Sequence, residues 1–286
     1  MQKVAIRKGK LSVFTYFFIF CVIFGLTALT VKELDISSGF EEILYQKDIK
    51  SNVDQENKYY INKIKNEYGI IIGYGEEEKS FLNSVNANGQ YDKNIVNNNV
   101  KIIYNALKKY PKDVFDIFKN EKYSMYILLV SNFNDNNIAL ASKNTLNQYR
   151  IYLSNDVNFE RAFHHEFFHV LEYYMSDKVK YLYYSWNLYN PQSFEYQSDI
   201  SKLTDSNVYN KYLTEKENKD AYFLTKYSKV SEKEDRAEIF AELMMLNKKE
   251  GYLKNGSAIR PKIDCLINEI YENISIDNFH FSTYLN

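Results

Sequence analysis

The 286-residue chain predicts an α+β fold: one domain with a small mixed sheet in its first half and helices in its second, preceded by an N-terminal transmembrane helix. Three observations carry this. Leu11–Val31 runs without a charge. Short runs bounded by Gly, Asn and Ser at 69–73, 124–130 and 148–154 read as strands. From about residue 157 onward the apolar residues recur at helical spacing, first to 175, then over 234–246 and 261–273.

Taken in order, Lys3, Arg7, Lys8 and Lys10 precede the uncharged run of twenty-one residues. At 1.5 Å per residue such a run spans about 30 Å, the thickness of a hydrocarbon core. The basic flank keeps the N-terminus cytoplasmic and places everything after Lys32 outside the membrane. Residues 1–31 read as an uncleaved signal-anchor; a cleaved signal peptide, which would make the protein secreted, is the alternative. Cys21 has Phe20 before it, where a lipobox needs a small residue. It lies in the membrane run and leaves Cys265 alone in the soluble part, so no intramolecular disulfide forms there.

Residues 32–66, polar and containing Ser37-Ser38-Gly39, read as a juxtamembrane stalk with a short helix. Residues 67–286 remain for one domain with a sizeable core. Within it Gly69–Gly73 is a buried strand, and Asn94–Tyr110 a helix that Pro111 closes. Ser124–Val130 and Gln148–Ser154 are strands, with a third at Asn137–Ala141. Residues 176–230, rich in Tyr, Asn and Lys, read as irregular structure and short helices over a cleft, or as a flexible lid. Net charge is −1, and neither a basic stripe nor an RNA-binding motif appears, so no nucleic acid is expected.

The chemistry is concentrated in His164-His165-Glu166-Phe167-Phe168-His169. The last five residues are HExxH. On a helix, His165 and His169 stack on one face, and Glu166 lies about 100° round from His165. Two imidazoles and a nearby carboxylate supply two zinc ligands and a general base. The chain has four histidines and three of them are here. The opposing reading is an amphipathic helix whose imidazoles meet only carbonyls and carboxylates. His164, on the other side of His165 from Glu166, suits a core hydrogen bond better than a metal. Glu172 returns to the metal face, either in support of the site or as a surface acid.

A catalytic zinc site usually takes a third protein ligand. His280 sits in a polar tail with no partner pattern, and the HExxHxxGxxH continuation is missing. The segment Glu234–Met245 reads as a helix with one buried stripe at Ile239, Phe240, Leu243, Met244 and Leu246. Glu234 and Glu238 share a face beside Ala237 and Ala241, where a neighbouring helix can approach. One acid would bind the metal and the other would accept the outer N–H of a zinc histidine. Otherwise the face is solvated, with Arg236 and Lys248 as counter-ions.

Phe163–Glu172, Tyr227 and Glu234–Phe240 together resemble the bacterial zinc-binding metallopeptidases of the gluzincin group. These are relatives of the anthrax lethal factor catalytic domain and of the secreted Pro-Pro endopeptidases. In that group a tyrosine stands seven residues before the ligand Glu of an E-x-x-A-E pattern, as Tyr227 stands before Glu234-Asp235-Arg236-Ala237-Glu238. The resemblance implies a zincin-like domain with a helical C-terminal lobe and one Zn2+ per chain. It implies His165, His169 and Glu234 as ligands, Glu166 as general base, Tyr227 as transition-state donor and Glu238 as the acid behind a ligand histidine. A second register, with Glu238 as ligand and Glu242 behind it, stays open. The expected activity is extracytoplasmic zinc endopeptidase acting on peptide or protein. The alternatives are a zinc amidase acting on cell-wall peptide and a non-catalytic surface protein with a structural metal.

Overall fold

The computed structural model describes residues 52–75, 79–119, 122–134, 137–156, 158–179, 183, 185–197, 222–248, 256–275 and 279–285. The expected membrane run and most of the expected stalk lie outside the described residues. Among those described, no helix is long and apolar enough to cross a membrane.

Residues Glu56–Asn286 form one compact unit. Its first helix, α1 (Val53–Tyr68), turns Ile64 and Tyr68 into the core, with Tyr60 and Ile61 packed beside them. The expected boundary at residue 67 therefore cuts through a packed helix, and the last part of the expected stalk belongs to the domain. Its sparse apolar positions, spaced three and four apart, are enough for a helix that buries one narrow stripe. Gly69 ends it in a left-handed conformation, φ +70°, where a Cβ would press 3.1 Å against the backbone of Phe118.

The chain then enters β1 (Ile70–Tyr74) and passes through α2 (Lys79–Ser84), β2 (Ala87–Gly89) and α3 (Lys93–Leu107). Asp92 caps α3 by accepting from the backbone N–H of Asn94 and Ile95. The helix stops at Leu107, short of the expected Tyr110. Lys109 and Tyr110 instead close tight bonds to Ala106 and Leu107, because the residue before Pro111 is disfavoured in the helical region.

The remaining strands are β3 (Ser124–Phe133), β4 (Ala139–Lys143) and β5 (Gln148–Ser154), in sheet order β1-β3-β5-β4. β1, β3 and β5 run parallel, β4 is the antiparallel edge, and short β2 pairs with the far end of β3. Side-chain alternation sorts the two faces. Met125, Ile127, Leu129, Tyr149, Ile151 and Leu153 enter the main core, while Leu128, Val130 and Tyr152 face a smaller cluster with Leu82 and Phe133. Neither β2 nor α2 has a sequence signature, since each is too short to show a period.

Leaving β5, the chain forms α4 (Phe159–Ser176), which runs against the main face of the sheet. After two short 3-10 turns, Trp186–Tyr189 and Tyr227–Lys229, come α5 (Glu232–Met244), α6 (Arg260–Asn273) and α7 (Ser282–Leu285). Here α5 departs from expectation: Asp235 through Met244 are all buried, not one stripe. Packed on α4, it places acids and an arginine inside the protein alongside Phe240, whose ring is 5.0 Å from that of Phe168. Tyr110 joins α3 to this core, its ring against Phe163, Phe167, Phe240 and Phe279.

Candidate metal centre

His165 and His169 lie one helical turn apart on α4, ring centres 4.9 Å apart. Their helix has apolar residues on every other face, so both imidazoles are buried among protein atoms at 7% and 9% exposure. Facing them is the first turn of α5. Ser231 caps that turn by accepting from the N–H of Glu234, and its acids suit the positive end of the helix. The cap sets Glu234 at a fixed place above the histidines. One Glu234 oxygen lies 2.9 Å from Nε2 of His165 and 3.5 Å from Nε2 of His169.

One turn further along α5, Glu238 is almost fully buried and meets the other nitrogen of His165, Nδ1, at 2.9 Å. Its two oxygens also accept a two-pronged pair from Arg161, at 3.0 and 2.8 Å. Sequence reading missed Arg161, although a lone cation four residues before His165 on an apolar helix was the signal for it. Glu238 thus stands behind His165, while His165, His169 and Glu234 bring one donor atom each within 4.8 Å of one another. Glu242, the acid of the second register, is buried and lines the neighbouring cleft.

Glu166 lines the same cleft and accepts from the backbone N–H of Ala141 on edge strand β4. Tyr227 also lines it, its ring 5.9 Å from the His165 ring. The cleft has a volume of about 770 Å³. The remaining expected residues lie elsewhere. His164 is fully buried, its Nδ1 2.6 Å from the Tyr110 hydroxyl. Glu172 is buried, not a surface acid, and accepts from Nε of Arg236 at 2.6 Å. His280 is held by the carbonyl of Leu246.

The electrostatics follow from this crowding. Burial raises the Glu166 carboxyl above its ordinary pKa, against the opposing pull of the two histidines. Burial also works on Glu234 and Glu238 but is outweighed there. His165 and His169 hold Glu234 well below the carboxylate range, and Arg161 and His165 do the same for Glu238. Burial would lower His165, yet its bonds to Glu234 and Glu238 push it up to about 10.

The donor set fits zinc. Three donors each about 2.0–2.1 Å from one tetrahedral ion stand roughly 3.4 Å apart, which the His169–Glu234 separation of 3.5 Å already matches. Glu238 accepts at Nδ1 of His165, so the Nε2 that faces Glu234 would be the nitrogen offered to a metal. Three carboxylates, Glu166, Glu234 and Glu238, gather about the histidines and could neutralise a bound cation.

No family model matches the chain, and no curated protein matches it. Among solved structures it is similar to a "putative zinc-binding metallo-peptidase" from Bacteroides caccae, with 15% identity, a TM-score of 0.45, and 77% of this chain and 86% of that chain covered. At that identity and score the likeness decides nothing about chemistry; the side chains must.

Proposed function

We propose that the chain is a zinc-dependent endopeptidase in which His165, His169 and Glu234 hold the ion. The observation that carries this reading is the convergence of those three donors beside a buried carboxyl, Glu166, at the wall of an open cleft. A site built only for stability is closed by four ligands and needs no base.

A zinc ion bound there supplies an activated water and an electrophile for a carbonyl oxygen. Glu166 takes the proton from that water and passes it to the leaving amine. A carboxyl whose pKa is raised suits both halves of that task. Ala141 N–H orients it. Tyr227 donates its phenolic hydrogen to the oxygen on which charge develops. Glu238, fixed by Arg161, keeps His165 in one tautomer. An extended peptide adds along β4, an edge strand of the sheet, as a further strand. The uncharged run Leu11–Val31 supports an extracytoplasmic location, anchored to the cell membrane or released by cleavage.

The test compares the wild type with Glu166→Gln, measuring bound zinc and cleavage of a diverse peptide library. One zinc per chain in both, with cleavage reduced at least ~100-fold in the variant, is the expected result. Cleavage by Glu166→Gln near the wild-type rate removes Glu166 as the base and the reading with it.

A further inference from the structure

From His165 and Glu166 the cleft extends back along α4, past Ala162 and Phe159, to a wall formed by Asn98, Asn99 and Ile102 of α3. Asn99 is 1% exposed, yet neither its Oδ1 nor its Nδ2 meets a protein partner. Among the described residues, the buried amide of Asn57, on α1, is engaged at both ends: it donates to the carbonyl of Lys93 and accepts from Asn97. A buried amide with both ends open costs stability unless something else completes it.

The chemistry of the wall narrows what can complete it. A carboxylate would satisfy Nδ2 alone, and Glu160, Glu238 and Glu242 line the same cleft. Arg161, the arginine on that wall, has both terminal nitrogens on Glu238. An ammonium would satisfy Oδ1 alone. A trans peptide unit carries its N–H and C=O on opposite edges, so one side-chain amide can take only one of them. A primary carboxamide has donor and acceptor on one edge and can form a reciprocal pair with Asn99.

We propose that this arm of the cleft is a specificity subsite in which Asn99 receives the carboxamide side chain of a glutamine next to the scissile bond. Glutamine is favoured over asparagine because its stem is one methylene longer and carries the carboxamide further into the cleft. The proposal rests on the peptidase reading for what the cleft holds, but its test does not need turnover.

The experiment is calorimetric binding of peptides to the full chain carrying Glu166→Gln and loaded with zinc. Glutamine and methionine, matched in length, are exchanged at each position flanking the central bond. At one position glutamine should bind on the order of tenfold more tightly or better, since methionine leaves the amide unpaired. In Asn99→Leu, with its melting temperature checked, that ratio should fall to about one. Asn99→Asp, which keeps the acceptor and loses the donor, should move the preference to lysine. No glutamine preference at any position overturns the proposal, as does one that survives Asn99→Leu. Whether the wild type then cleaves the preferred peptide bears on the peptidase reading alone.

Discussion

Two buried charge clusters hang from the first turns of α5, and they differ in how they are closed. On one side Asp235, fully buried, accepts from the Lys262 ammonium at 2.7 Å, the Tyr196 hydroxyl at 2.9 Å and the Trp186 indole at 3.1 Å. One anion meets one cation, and Lys262 spends a further hydrogen on the carbonyl of Tyr222. On the other side Glu234 and Glu238 face two histidines and Arg161, with Glu166 adding a third carboxylate at the cleft. The first cluster pairs its anion with a cation inside the protein, all three bonds falling on one Asp235 oxygen while Oδ1 is buried without a hydrogen-bond partner. The second gathers acids around two histidines and opens to a cavity. Neighbouring residues of one helix thus serve a structural pair and the candidate metal site.

The largest expected effect breaks the open cluster. His165→Ala should lose bound zinc altogether, and peptide cleavage with it, as metal analysis after gel filtration would show. Retention of one zinc per chain in that variant would remove the distinction between the clusters. Lys262→Met tests the closed one. Leaving Asp235 buried without its cation should destabilise the fold by about 3–5 kcal/mol, read as a fall in urea midpoint. Adding Asp235→Asn to it should restore much of the loss.

A smaller effect is expected where the two kinds of cluster meet in one residue. Arg161→Ala leaves the ligands in place but frees Glu238 from its two-pronged hold. Zinc affinity should fall about 10–100-fold while the fold persists, measured by competition with a chelator. An unchanged affinity would reduce Arg161 to a packing residue.

How much of this the sequence revealed divides along the same line. HExxH and the Glu234–Glu238 spacing are local patterns, and helical periodicity puts each pair on one face; the choice of Glu234 as the ligand came from the family resemblance. The strands at 70–74 and 148–154 were legible because their runs are apolar and bounded by turn residues. The Asp235–Lys262 pair and the Arg161–Glu238 pair join residues distant in sequence, and no period encodes a partner. Reading α5 as a single-striped helix failed for the same reason: charged residues count as outward-facing until their counter-charges are known. The first helix was taken for stalk because its composition is polar, although its few apolar residues fall on one face.

The smallest effect concerns acid. The His164 ring, 3.6 Å from Glu160, and Lys109, 2.8 Å away, hold the Glu160 carboxyl at about 2 against the effect of burial. Burial in turn lowers His164 to about 4. Both shifts run downward, so the unfolded chain binds more protons in acid. The Glu160 contribution is complete above the ordinary value of 4.5 and lost as pH falls toward 2. The His164 contribution is complete above 6.5 and lost toward 4. Glu160→Gln should therefore melt below the wild type at neutral pH, and the gap should narrow from pH 4.5 downward in a series of thermal scans. A gap independent of pH would mean that packing, not charge, sets it.

The order of partners along α5 has a consequence for how this chain can change. Ser231, Glu234, Asp235, Arg236 and Glu238 each engage a different feature of the protein: the helix's own start, the histidine pair, Lys262, Glu172 and Arg161. Each step along the helix turns the next side chain by about 100°. Deleting or inserting one residue between 231 and 238 would rotate everything after it away from its mate at once. Substitutions can be tolerated here one at a time; changes in length cannot, and this stretch should be among the most indel-intolerant of the gene.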